Sequence, residues 1–585
     1  MNRRKSLLVA MLCAASSSVM AQSVEDGLKD LYYGKNLSAK QNFEKVIGAK
    51  PTEDKAYYYM GIAQLAMGDE AGAAATFQKG LQAVPTSALL QVGMGRIDLI
   101  KGDAAAAKQK FEAASAATQG RDGDVARAIA DASSEIKGGD RAYALSVMEK
   151  LLNNEGRKKK EVYNPTPADY IELGDAYRFL GGENGGKAIT TYEKALELDP
   201  NNAEAVLKQG LVNYNARLLE EAVADWTKAT NMDPKYAPAY YELFLFYTTP
   251  KKKQLDWDRA AGYLQKYMEV ADPADKAKLQ YLDASVAFFK KDYDAAITKG
   301  NAALATANEE TADKLNLLVG DAYLQKGDSL NAKKVMDAYA TKAGEGKLTV
   351  QDYKLMSTIY LRLKDADSAT QAGYTDKGLN YLEKFASMDT TKDVEAYNAV
   401  AEAYKSARKY DKAGDWYVKA NDLRVANKET LQAIDFYLPA QMYYYAGATA
   451  KPIDTTLLNK SDELYGKMIE AKPDYVAGYY YRGMANYAKD QQGQSGVAKP
   501  YFEKYIETAG ADPAKYKTNL INAYTYMLLY YYNKEDKENI NTFADKLLSV
   551  DPNSVTVKEI KENMAAREKP AKPAGNGAKT AASNK

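Results

Sequence analysis

With 47 tyrosines, 78 carboxylates, a single cysteine and no histidine, this 585-residue chain is poorly equipped for proton transfer and well equipped for contact. Without histidine it lacks the commonest general base, the commonest transition-metal ligand and any Ser-His-Asp arrangement. Cys13 lies in a stretch that reads as a cleaved leader, so the mature chain has no thiol for a disulfide, a nucleophile or a metal. Carboxylate chemistry on calcium or magnesium, and hydrolysis by paired carboxylates, stay open. Neither leaves a recognisable spacing, and no EF-hand loop, phosphate loop or GxGxxG run is present. The expectation is therefore a non-enzyme with no catalytic residue, no metal and no cofactor. Charge is balanced, 79 basic against 78 acidic residues, which argues against a nucleic-acid partner.

The residue type best suited to recognition is tyrosine, which offers rigid amphipathic contact area at low entropic cost. It comes in triplets at Tyr57–Tyr59, Tyr443–Tyr445, Tyr479–Tyr481 and Tyr530–Tyr532. What positions these blocks is a period. Ala39, Ala73 and Ala107 are spaced by 34 residues, as are Phe43, Phe77 and Phe111. Ala188 and Ala222, Tyr192 and Trp226, and Pro200 and Pro234 keep the same step. Within each unit an aromatic or bulky residue precedes a Gly or Ala by four positions, as in Tyr57 and Gly61. A charged turn such as MGDE or KGDA follows, then Ala, then a bulky residue four positions on. Spacings of three and four mark amphipathic helices, and the Gly-Asp turn separates them. Each unit is thus expected to be a helical hairpin in which small residues allow close approach and aromatics fill the space between.

This pattern resembles the tetratricopeptide repeat family over roughly residues 24 to 552. The resemblance implies an all-α, right-handed superhelical solenoid of about 14 hairpins, with second helices marked by residues from Phe43 and Phe77 through Trp226 and Tyr465 to Phe502 and Ala544. It also implies that first helices line a concave groove where segments of partner proteins lie. Placing Tyr57, Tyr170, Tyr240, Tyr397 and Tyr479 on the packing stripe puts the next residue round each helix in the groove. The expected partner-binding residues are Tyr58, Tyr241, Tyr444, Tyr480, Tyr487 and Tyr532. The lysine and asparagine of a carboxylate clamp are missing from the matching pairs, Tyr58 and Ile62 or Val92 and Arg96 among them.

Residues 1–21, with Arg3, Arg4 and Lys5 before a short apolar run, read as a signal peptide cut ahead of Gln22. That run is too short to span a bilayer, and no later stretch suffices. The remaining chain divides into repeats over 22–164, repeats with a capping helix over 165–568, and a basic tail at 569–585 expected to be disordered. Lengthened turns are expected at 156–167, 249–256, 364–376, 449–458 and 489–496. Together these features suggest an exported, periplasmic protein of a two-membrane bacterium that holds other envelope proteins, working near the outer membrane or elsewhere in the envelope. A binder of cell-wall or dietary glycan is the alternative, since tyrosine also stacks on sugar rings.

Overall fold

The computed structural model describes residues 23–249, 255–391 and 393–568. The expected leader at 1–21 and tail at 569–585 lie outside them, as do residues 250–254 of one lysine-rich turn. The described chain is all α, with 29 α-helices and no strand among the described residues. All the residues taken as second-helix markers, from Phe43 to Ala544, lie on helices.

The hairpin Asp54–Ala66 with Glu70–Ala83 shows why the sequence folds this way. Gly68 ends the first helix at φ +80°, a backbone state open to glycine at little cost. Asp69 then caps the second helix by accepting the Gly72 N–H at 2.8 Å. Gly61 sits where a Cβ would come within 2.2 Å of the Phe77 ring. The same pairing joins Gly95 to Phe111 at 2.6 Å, Gly174 to Tyr192 at 2.4 Å, Gly210 to Trp226 at 2.5 Å and Gly483 to Phe502 at 2.6 Å. The 34-residue ladder therefore records one packing event, a ring of the second helix pressed into the gap left by a small residue of the first. Phe77 and Phe502 are fully buried by it, each contributing about 1.5–3 kcal/mol.

The chain forms two compact units, the first ending at Asp328 and the second beginning at Ser329. The division expected at 164/165 falls inside the first unit, because Met148 and Leu151 on Arg141–Leu152 share a core with Leu173 and Ala176 on Pro167–Leu180. The first unit holds eight hairpins and the helix Glu309–Gln325. The second holds the helix Ser329–Ala343, five hairpins and the capping helix Val555–Glu568. The turn expected over 364–376 is shorter than that. Asp367 caps a helix from Ser368 by accepting the Thr370 N–H at 2.8 Å.

The first unit closes on itself. A repeat array ordinarily joins each hairpin only to its neighbours. Here the first hairpin reaches the seventh. The Ser38 N–H and hydroxyl donate to the Asp272 carboxylate at 2.9 and 2.7 Å, across 234 residues of chain. The Tyr32 and Tyr236 rings lie 4.9 Å apart, and Gly34 abuts Pro238.

Candidate functional site

The structure sorts the six expected groove tyrosines into different roles. Tyr58 is not in a groove: it is 3% exposed and packs against the Phe77 ring. Tyr480 is likewise buried, at 8%, against Phe502 and Tyr505, and its hydroxyl accepts from Asn522 Nδ2 at 2.9 Å. Its neighbour Tyr479 is the half-buried one. The expected register is thus displaced: one step round the first helix from the packing stripe still points at the second helix and the following hairpin. Tyr532 lies under the Arg567 guanidinium of the capping helix, 5.2 Å from its ring centroid. Tyr241 packs beside Tyr267 and lines a cleft of about 710 Å³ where the first unit closes.

Tyr444, Tyr480 and Tyr487 do come together. They lie on Ala433–Thr449 and Val476–Lys489, with Asn522 supplied by Lys517–Asn533, three consecutive first helices. Tyr444 is pushed above the ordinary phenol value by burial, and then by its neighbours Tyr480, Tyr445 and Tyr487. Tyr487 is half-buried, edge-on to Phe502 and Tyr526. Tyr445 beside them is 39% exposed. The result is a tyrosine face with a buried floor and an accessible rim.

The interior of the first unit is different. Its first helices carry charge two and five residues beyond the packing position: Glu172 and Asp175 after Tyr170, Lys208 after Val206, Glu242 after Tyr240. Arg96 pairs with Asp131 and with Glu135, the latter at 3.2 Å. Lys208 Nζ reaches Asp175 at 2.6 Å, and the Arg178 guanidinium holds the same carboxylate at 2.9 Å. Burial opposes the charge of Asp175, yet Lys208 and Arg178 keep its carboxyl below the ordinary value. Glu172 is pushed well above it by burial and by Asp131 and Asp175; burial also raises Glu135, Glu204 and Glu242. Glu204 on the sixth hairpin feels Asp131 on the fourth, and Tyr58 on the second feels Glu172 on the fifth. Side chains from non-adjacent hairpins of the first unit are thus electrostatic neighbours. The sequence signal for this face was available as charges recurring at fixed offsets on the first helices, but such charges ordinarily mark solvated surface.

A third feature is a cleft of about 460 Å³ in the second unit, lined by Trp416, Tyr443, Lys460 and Leu464. Two of its polar groups are paired: Tyr443 donates to Asp415 at 2.8 Å and Trp416 Nε1 to Glu383 at 2.8 Å. Among the described residues no group of three or more Asp, Glu or Cys side chains could hold a metal ion, and no helix is long and apolar enough to cross a membrane.

Residues 172–216 match the family model described as TPR repeat. No curated protein matches the sequence. Among solved structures, the C-terminal part of a TPR repeat-containing protein from Cytophaga hutchinsonii is 23% identical, with 48% of this chain and 98% of that one covered and a TM-score of 0.29. A tetratricopeptide repeat protein from Parabacteroides merdae is 18% identical, covering 46% and 92%, with a TM-score of 0.29. The human IFIT1 dimer with PPP-AAAA is 14% identical, covering 83% and 100%, also with a TM-score of 0.29. The matched segment runs from one first helix into the next, and the same glycine-and-aromatic hairpin recurs before and after it. On that ground the chain is similar to the tetratricopeptide repeat family, the match itself covering residues 172–216.

Proposed function

We propose that this protein is a non-catalytic scaffold of the bacterial cell envelope, exported to the periplasm by its first 21 residues, which holds segments of other envelope proteins against the first-helix face of its second unit. Tetratricopeptide repeats serve generally as protein-interaction scaffolds and are generally non-catalytic. The observation that carries the reading is the convergence of Tyr444 and Tyr487 over the buried Tyr480, with Tyr445 at the accessible rim. Tyrosine is enriched at the centres of interfaces, where a fixed ring contributes area without much loss of freedom. Balanced charge and the absence of histidine support a binding role over a catalytic one.

The test is a photo-crosslinking residue in place of Tyr444 or Tyr487, activated in intact cells. Defined adducts with envelope proteins are the expected result, lost when the other tyrosine is changed to Ala. An absence of protein adducts from either position in a folded, exported chain overturns the reading. Intact-mass measurement of the secreted protein checks the export step, with Gln22 expected at the new N-terminus.

A further inference from the structure

We propose that the cleft at the seam of the first unit binds a short neutral oligosaccharide, and that the bound sugar holds the array closed. The cleft measures about 710 Å³, a size typical of small-molecule sites, ~300–1,000 Å³. Its walls come from both sides of the closure. Asn36 and Leu37 of Asn36–Ala49 stand on one side. Tyr241 of Ala237–Thr248, Tyr267 of Trp257–Val270 and Tyr281 of Lys276–Phe289 stand on the other, with Asn308 beside them. Asp272, which receives the Ser38 hydrogen bonds, is itself part of the wall.

Three tyrosine hydroxyls are left over here. Other tyrosines of the same unit give their hydroxyls to carboxylates, Tyr192 to Asp175 and Tyr177 to Glu149, each at 2.8 Å. Tyr241, Tyr267 and Tyr281 give theirs to nothing among the described residues. None of the three is sealed from solvent, so each stays open to a ligand. The Tyr241 and Tyr267 rings are packed 5.1 Å apart, and burial pushes the Tyr267 phenol up to about 12. The Asn36 amide makes no hydrogen bond either, and Asn308 uses only its oxygen, which accepts the Thr311 N–H at 2.9 Å. Hydroxyls and amides both donate and accept, so an apolar molecule would leave them unpaired. The charges in the wall balance: Lys314 pairs with Glu310 at 2.6 Å, and Lys278 lies 3.9 Å from Asp275. The cleft therefore favours neither a cation nor an anion. A sugar ring has the complementary form, a C–H face for the tyrosine rings and a rim of hydroxyls that donate and accept. An extended polypeptide fits less well, because the cleft is local to the seam and does not track along successive first helices. A molecule that fills it touches both sides of the seam, binds the closed array in preference to an opened one, and so stabilises closure by mass action.

The test titrates the full chain with chitotriose, and separately with maltotriose, by isothermal calorimetry. Saturable binding of at least one of them, at one site per chain, is expected. With the sugar bound, hydrogen exchange is expected to slow over residues 31–39, the edge that meets the seventh hairpin. Tyr267→Phe and Tyr281→Phe together keep the rings and remove their hydroxyls, and should weaken binding by at least about tenfold. Asn36→Ala, on the opposite wall, should weaken it by a smaller factor, and serves alone should the double variant not fold. No binding of either sugar overturns the proposal, as does affinity unchanged in these variants. Unaltered exchange at 31–39 with sugar bound places the sugar elsewhere and overturns it equally. Tighter binding of the neutral peptide N-acetyl-trialanine amide than of either sugar assigns the cleft to polypeptide and overturns it too. No protein partner enters the assay, so its outcome is independent of the tyrosine face.

Discussion

Asp337, Asp415 and Asp490 in the second unit each accept a tyrosine hydroxyl at 2.8 Å, from Tyr360, Tyr443 and Tyr526 in turn, and Glu402 accepts from Tyr417. In the first unit no hydrogen bond reaches Glu172, Glu204 or Glu242 among the described residues, and one oxygen of Glu172 is sealed from solvent without a donor. Burial opposes ionisation in both places. In the second unit the donors prevail: Lys333 and then the Tyr360 hydroxyl hold Asp337 below the ordinary carboxylate value, Tyr417 and Lys405 do so for Glu402, and the Tyr526 hydroxyl and loop amides for Asp490. In the first unit burial prevails and pushes the three glutamates up. One hairpin fold can therefore pair its polar groups with donors on a nearby helix or leave them without a hydrogen bond. The abundance of tyrosine in this chain is explained in good part by the first use: each ring fills space between helices while its hydroxyl satisfies a carboxylate on a nearby helix.

The largest effect should come from the packing side of this contrast. Tyr480→Ala is expected to destabilise the second unit by roughly 3–5 kcal/mol, as large-to-small changes in a core do. Tyr479→Ala, at a half-buried position, should cost about 1 kcal/mol. Paired thermal melts of the two variants check this, and equal losses would mean that both rings share the packing. Next comes the donor itself. Tyr526→Phe keeps the ring but strips Asp490 of its hydroxyl donor and the Ala498 N–H of its acceptor at 3.2 Å. The expected cost is about 1.5–3 kcal/mol, read by denaturant titration. If Tyr526→Phe is silent, the second unit's carboxylates are satisfied by water and the contrast fails.

The smallest effect is on pH. A carboxylate raised in the folded state binds its proton more tightly there than when unfolded, so stability falls as pH rises through the folded value. The first unit should accordingly become more stable as pH drops from neutral towards the ordinary glutamate value. The depressed carboxylates of the second unit contribute stability that is present above their unfolded values and lost below them, in more acidic solution. Hydrogen exchange followed by peptide across this range reads the two units separately. Movement of both in the same direction between neutrality and the ordinary carboxylate range would remove the distinction.

The hairpins were legible in the sequence because their cause is local. Gly61 and Phe77, or Gly483 and Phe502, meet across a single turn, so one packing contact repeats as one spacing. The register of the groove was less legible. Tyr58 and Tyr480 stand one residue from the packing stripe, and a helix turns about 100° per residue, too coarse a step to separate a neighbouring hairpin from an open face. Glu172, Lys208 and Glu242, one residue further, point inward, but nothing in their spacing distinguishes an enclosed charge from a solvated one. The closure of the first unit left no sequence signal at all, because Ser38 and Asp272 belong to no shared period.

That closure also sets an order of events. The first hairpin leaves the ribosome with Tyr32, Tyr33 and Ser38 facing nothing, and the residue that receives Ser38 follows 234 positions later. At ~5–20 residues per second the interval is roughly 10–50 s. Throughout it the N-terminal edge of the array is an unfinished surface, adhesive to any other chain that offers an apolar face. The ring can be sealed only once the seventh hairpin has arrived.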